Sequence, residues 1–259
     1  MKNQSPISLA LVALCCGLTL HAAEAVDLGT AGSFAVLAGS TVTNTGPSIL
    51  NGNLGVSPGS AITGFPPGIV NGTVHLADAV ALQAQSDLTI AYNVAAGLPS
   101  TANLTGMDLG GLTLMPGVYT FSSSAQLTGI LTLQGSGDPN AQFVFQIGST
   151  LTTATASAVV LLGVDPCNVF FQVGSSATLG AATAFQGNIL ALTSITAVTG
   201  ATVNGSLLAR NGSVTLDTNV ITAHECEGVV PPGVPEGGMT LSLLALGLTG
   251  IGILRRRLA

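Results

Sequence analysis

The chain has 259 residues, of which 47% are hydrophobic and only 6% charged, and its formal net charge is −6. Four of the five basic residues sit at the extreme ends (Lys2, and Arg255 to Arg257), so between Val26 and Gly233 Arg210 stands as a single base against nine acids. That balance excludes nucleic-acid binding, which needs several Lys or Arg on phosphates. It also excludes phosphoryl transfer, which needs a cationic cradle, and high hydropathy with so little charge excludes a disordered chain.

Residues 1–25 read as a secretory signal peptide. Lys2 precedes an apolar run from Ile7 to Leu20, and Ala23-Glu24-Ala25 forms a small-residue exit, so cleavage is expected after Ala25. The run is shorter than the ~20 apolar residues that span a bilayer. Cleavage removes Cys15 and Cys16 and leaves Cys167 and Cys226. In an oxidising compartment these two are expected to form one disulfide, with a pair of buried thiols as the alternative.

The body, residues 26–227, is expected to be dominated by β-structure. Gly, Asn, Thr and Ser punctuate short apolar runs throughout. The runs also repeat. Ile49-Leu50-Asn51-Gly52-Asn53-Leu54 returns as Ile69-Val70-Asn71-Gly72-Thr73-Val74, an offset of 20. Gln186 to Ala191 returns as Asn204 to Ala209, an offset of 18, and Phe145 to Thr150 as Phe171 to Ser176, an offset of 26. Offsets of this size suit one three-strand coil of a β-solenoid, with Ile189, Ile195, Val203, Leu207 and Val214 pointing inward. One segment departs from the pattern. Leu76, Val80, Ala84, Leu88, Ala91, Tyr92 and Ala95 fall at helical spacing, which predicts an α-helix over about 75–96 that Gly97 and Pro99 end. Its apolar stripe is expected to cover one side of the stack.

Residues 228–233 read as a Pro/Gly linker. Beyond it come Val234-Pro235-Glu236-Gly237-Gly238, an apolar stretch from Met239 to Leu254, and the three arginines. Sixteen helical residues reach roughly 24 Å, short of the ~30 Å hydrocarbon core. The order of motif, short apolar helix and basic cluster in 234–259 resembles the PEP-CTERM and VPDSG-CTERM sorting signals. That resemblance implies a transient inner-membrane anchor in a bacterium, cleavage by an exosortase-type enzyme, and delivery to the cell surface or extracellular matrix. A plain membrane anchor is the alternative.

Val26-Asp27-Leu28-Gly29-Thr30-Ala31-Gly32-Ser33-Phe34 is similar to the opening of the DUF3494 ice-binding family. So are Gly55-Val56-Ser57-Pro58-Gly59, Leu114-Met115-Pro116-Gly117-Val118-Tyr119, the paired Phe-Gln-Ile/Val-Gly-Ser segments, Asn188 to Ile195, and Leu208-Ala209-Arg210-Asn211-Gly212. The resemblance runs over nearly all of 26–223. It implies a discontinuous right-handed β-solenoid of triangular cross-section with one long flanking helix, and a flat face that binds ice. A monomer is expected, with the ice surface as its partner.

The physics of such a face stands on its own. Parallel strands lie about 4.8 Å apart and alternate residues on a strand about 6.7 Å apart. Ranks of Thr and Ser therefore make a rigid lattice of hydroxyls and methyls that orders the adjoining water. Threonine is restricted at χ1, so holding it costs little entropy. The expected face residues are Thr150, Thr152, Thr155, Ser176, Thr178, Thr183, Ser194, Thr196, Thr199 and Thr202, with Thr41 and Thr43 as secondary choices. Decoration of outward strand positions, without any role, is the alternative for each.

No catalytic, cofactor or metal site is read. Gly55-Val56-Ser57-Pro58-Gly59 matches the Gly-x-Ser-x-Gly pattern, but that elbow needs a helix after the serine, and here turn residues follow. Of the two histidines left in the body, His75 is placed at the start of the helix and His224 beside Cys226, and nothing brings either to Ser57. Arg210 is expected to pair with an acid or with backbone carbonyls. Two function classes remain: an ice-binding protein, or a structural or adhesive module of the cell surface or matrix.

Overall fold

The repeated segments are neighbours in space, in the registers that their offsets imply. Ile49 lies opposite Ile69 and Leu54 opposite Val74; Gln186 lies opposite Asn204, Ile189 opposite Leu207 and Phe145 opposite Phe171. The computed structural model describes residues 25–138 and 140–224. Within them, parallel strands form three sheets of nine, seven and eight strands. Each coil passes once through each sheet. Val169–Val173 lies in the first, Ala177–Leu179 in the second and Ala184–Gln186 in the third; Asn188–Ala191, Ile195–Ala197 and Thr202–Asn204 repeat the circuit. The five inward positions named from the sequence are all buried, with aromatic rungs beside them. Phe145 and Phe171 stack at 4.4 Å between ring centroids, close to the strand spacing, and Tyr119 and Phe185 continue the column at 5.5 and 4.8 Å.

The stack does not follow chain order. The last coil, Leu207–Ala209, Val214–Asp217 and Val220–Thr222, is laid against the first: Val36 faces Leu207, Val42 faces Val214 and Ile49 faces Val220. A second N-terminal coil lies beyond, ending in strand Val74–Leu76 at one edge of the first sheet, while Ala102–Asn103 forms the opposite edge. The chain must therefore return along the whole stack, eight strand steps or about 38 Å. The helix Ala79–Gly97 does most of this: its 19 residues rise about 28 Å.

The helix begins later than its periodicity predicts. Asp78 is the N-cap, its Oδ1 accepting the Ala81 N–H at 2.8 Å, so His75 belongs to the preceding strand and Leu76 and Val80 are exposed. Ala84, Leu88, Ala91, Tyr92 and Ala95 pack on Leu37, Val144, Phe170, Leu190 and Leu208 of the first sheet. That sheet is buried on both sides, and its strands read as unbroken apolar runs such as Val169-Phe170-Phe171. The Arg210 guanidinium lies 4.7 Å above the Tyr92 ring rather than against a carboxylate, a correction to its expected pairing. At the other end of the helix, Gln142 holds Val26 by two hydrogen bonds of 2.9 Å, one to its N–H and one to its carbonyl.

The signal peptide up to Glu24, Cys226 with its expected bond to Cys167, the linker 228–233 and the sorting segment 234–259 lie outside the described residues. Among the described residues, no helix is long and apolar enough to cross a membrane.

Candidate functional site

With the helix over the first sheet, the outward faces of the second and third sheets are left to solvent. They differ in chemistry. On the third sheet one outward row runs Ile130, Ala158, Ala184, Thr202, Val220, Ile49 and Ile69. A second carries amides, with Asn71 Nδ2 donating to Asn51 Oδ1 at 2.8 Å and Asn51 Nδ2 to Thr222 Oγ1 at 3.1 Å.

The second sheet carries hydroxyls. Thr152, Thr178, Thr196, Thr215, Thr43 and Thr63 lie opposite one another on six successive strands, an unbroken rank about 24 Å long. Gln126 extends it by one more strand. Two positions back along each strand runs a parallel rank of Ser124, Thr150, Ser176, Ser194, Ser213 and Thr41. Its members are tied sideways: Thr150 Oγ1 donates to Ser124 Oγ at 2.8 Å, Ser176 Oγ accepts the Ser194 N–H at 3.3 Å and Ser194 Oγ accepts the Ser213 N–H at 3.1 Å. The threonines in mid-rank (Thr178, Thr196, Thr215) are half-buried by their neighbours, while Thr152, Thr43 and Thr63 are exposed. Beneath them the inward residues are small or branched (Ala125, Leu151, Ala177, Ile195, Val214, Val42), so every coil sets its threonine at the same height.

Neither rank contains a charge. The nearest carboxylates are held at the margins. Asp217, beside the rank at the corner toward the third sheet, accepts from the Thr199 hydroxyl and from the Thr218 hydroxyl at 3.0 Å. Asp108, past the Gln126 end, accepts the N–H groups of Gly110 and Thr128 at 2.7 and 2.8 Å. Burial raises the Asp108 carboxyl, but those two donors and the Thr128 hydroxyl outweigh it, and its pKa lies below the ordinary 3.8.

Of the ten residues expected from the sequence, six come together here: Thr150, Thr152, Ser176, Thr178, Ser194 and Thr196. The other four do not join them. Thr155 lies in the turn after its strand, Thr199 sits at the corner holding Asp217, and Thr202 points out from the third sheet. Thr183 is fully buried, where Thr153 shares its hydroxyl at 2.9 Å. The two ranks also hold Ser124, Ser213, Thr215 and Thr63, which were not among the expected residues, and Thr41 and Thr43, which were secondary choices. A usable signal was present: Val36-Leu37-Ala38 before Thr41-Val42-Thr43 mirrors Leu207-Leu208-Ala209 before Ser213-Val214-Thr215. Ser57 is buried and leads through a bend to strand Ala61–Thr63, not to a helix; His75 Nδ1 instead lies 2.8 Å from Asp78, and His224 bonds Asn204.

The chain matches the family model described as Ice-binding-like over residues 36–222. It is 58% identical over 254 residues to an ice-binding protein of Nostoc sp. (strain HG1), covering 97% of this chain and 94% of that one. An ice-binding protein of Colwellia sp is 38% identical over 215 residues, covering 77% of this chain and 84% of the relative. Among solved structures, the ice-binding protein of Antarctomyces psychrotrophicus superposes with a TM-score of 0.76 at 42% identity, covering 78% of this chain and all of that one. One from an Antarctic biological consortium gives 0.75 at 45% identity, covering 85% of this chain and 96% of that one.

Proposed function

This chain belongs to the Ice-binding-like family, and from that membership we propose that it adsorbs to ice through the outward face of its second sheet and so restrains ice growth or recrystallisation. The observation that carries the reading is the unbroken rank of six threonines with a second hydroxyl rank beside it. Water bridging the hydroxyls is held at the strand spacing, and the methyls fill the gaps without offering competing hydrogen bonds. The parallel ladder beneath fixes the positions before any ice arrives, so little order has to be created on contact. Absence of charge completes the fit, because an ammonium or carboxylate in the rank would keep its own hydration shell. Among the described residues this face presents hydroxyls and methyls, and its work is adsorption.

The terminal segments extend this reading. Export by residues 1–25, a Cys167–Cys226 disulfide, and sorting by 234–259 through an exosortase-type enzyme place a monomeric solenoid at the cell surface or in the matrix, where it meets ice. Thermal hysteresis and recrystallisation assays on recombinant 26–233 test the function. Wild-type protein with no effect on ice at micromolar concentration overturns it.

A further inference from the structure

Asparagine followed by glycine occurs four times, at Asn51-Gly52, Asn71-Gly72, Asn204-Gly205 and Asn211-Gly212. In this pair the asparagine amide is open to attack by its own chain, because glycine has no Cβ to hinder its nitrogen from approaching the preceding Cγ. The attack needs a backbone nitrogen free to lose its proton and turn, and a backbone hydrogen bond prevents both. The fold supplies that bond at three of the four sites. Gly52 N–H donates to Asn71 O at 3.1 Å, Gly205 N–H to Thr222 O at 2.7 Å and Gly212 N–H to Thr193 O at 2.8 Å. Gly72 differs because its coil is the last in the stack. Among the described residues no further coil follows to accept from Gly72, and its N–H has no acceptor. Asn71 and Gly72 are both exposed. The side chains differ too. Asn51 is tied at both ends, whereas Asn71 is tied only through its Nδ2, by the bond to Asn51 Oδ1.

We infer that Asn71 is a self-modification site, where the folded protein deamidates ahead of its three other Asn-Gly pairs. The Gly72 nitrogen bonds to Asn71 Cγ, the Cγ–Nδ2 bond breaks, and ammonia leaves with the proton that the Gly72 nitrogen gives up. Water then adds across one C–N bond of the five-membered imide and opens it to aspartate or isoaspartate. No oxidant or reductant takes part. The product carries one more negative charge and turns the bond to Asn51 Oδ1 into an opposition of two acceptors. Isoaspartate also adds a methylene to the backbone of edge strand Ile69–Asn71. The same terminal coil carries Thr63, the last threonine of the rank, so the modification loosens that end of the face as the protein ages.

The test is peptide mapping by mass spectrometry, with isoaspartate labelling, of the purified protein held in mildly alkaline buffer and of the same protein unfolded in guanidinium. Expected in the folded protein is conversion of the Asn71 peptide about tenfold ahead of the other three, since each of those must first break a backbone hydrogen bond; unfolded, the lead disappears. The Asn71→Gln variant keeps an amide at the rung and should lose the fast phase of ammonia release. Conversion of Asn211 as fast as Asn71 in the folded protein, a lead that survives unfolding, or a fast phase that persists in Asn71→Gln overturns the inference.

Discussion

Replacing Thr196 by tyrosine puts the hydroxyl rank to its most direct test. Thr196 is the third of the six threonines, between Thr178 and Thr215. A ring at this position stands above its neighbours and splits the rank into a pair, Thr152 and Thr178, and a triplet, Thr215, Thr43 and Thr63. The longest uninterrupted run falls from about 24 Å to about 10 Å. A tenfold loss of affinity corresponds to about 1.4 kcal/mol, so three lost contacts need supply only about 0.5 kcal/mol each to reach it. The side chain is half-buried at the surface and points away from the core, so stability should move by no more than about 0.5 kcal/mol. The expected outcome is at least ~10-fold weaker thermal hysteresis and recrystallisation inhibition, with the melting temperature shifted by about 2 °C or less. Thr202→Tyr, on the third sheet, is the matched control and should retain activity. If Thr202→Tyr abolishes activity and Thr196→Tyr does not, the face has been assigned to the wrong sheet.

Thr43→Tyr should weaken ice activity in the same assays, but less than Thr196→Tyr, because Thr43 continues the rank directly from Thr215 and its loss leaves a run of about 14 Å; full activity in this variant would mean that the N-terminal coils do not extend the face. Phe171→Ala removes the middle of the ring column between Phe145 and Phe185 and should cost about 3–5 kcal/mol. Urea unfolding reads this as a lower midpoint at unchanged slope. Stability should also fall in acid. Burial raises the Asp87 carboxyl, but the Thr30 hydroxyl and N–H and the Gln83 amide outweigh it, and its pKa lies below 3.8, as does that of Asp108. A lowered folded-state pKa contributes stability that is complete above 3.8 and lost as pH drops through the folded value. Asp87→Asn should therefore flatten the fall of the urea midpoint below that pH, and an unchanged slope would refute the assignment.

How much of this was legible can be argued from single residues. The repeats at Phe145/Phe171 and Ile189/Leu207 predicted their own pairing, since a coil whose inward residues recur places like on like. The helix was legible from its spacing, but its start was not. Leu76 is apolar and in phase, yet Asp78 caps the helix after it, and Val80 in the first turn stays exposed as well. Thr183 lies inside for a related reason. Strand alternation distinguishes in from out only once the strand ends are known, and Thr183 falls in the corner just before strand Ala184–Gln186, whereas Thr202 does point outward but from the third sheet.

The amino-acid sequence by itself determined a sparsely charged, threonine-studded β-solenoid, its coil-to-coil register and its long helix, because these follow from local alternation and short-range repeats. Tertiary structure alone decided the order of the coils. Packing of 207–222 against 34–51 buries apolar faces that are far apart in the chain, and no local period encodes that contact. It makes Thr43 the neighbour of Thr215, so that the run from Thr152 to Thr215 and the pair Thr43 and Thr63 become one continuous rank.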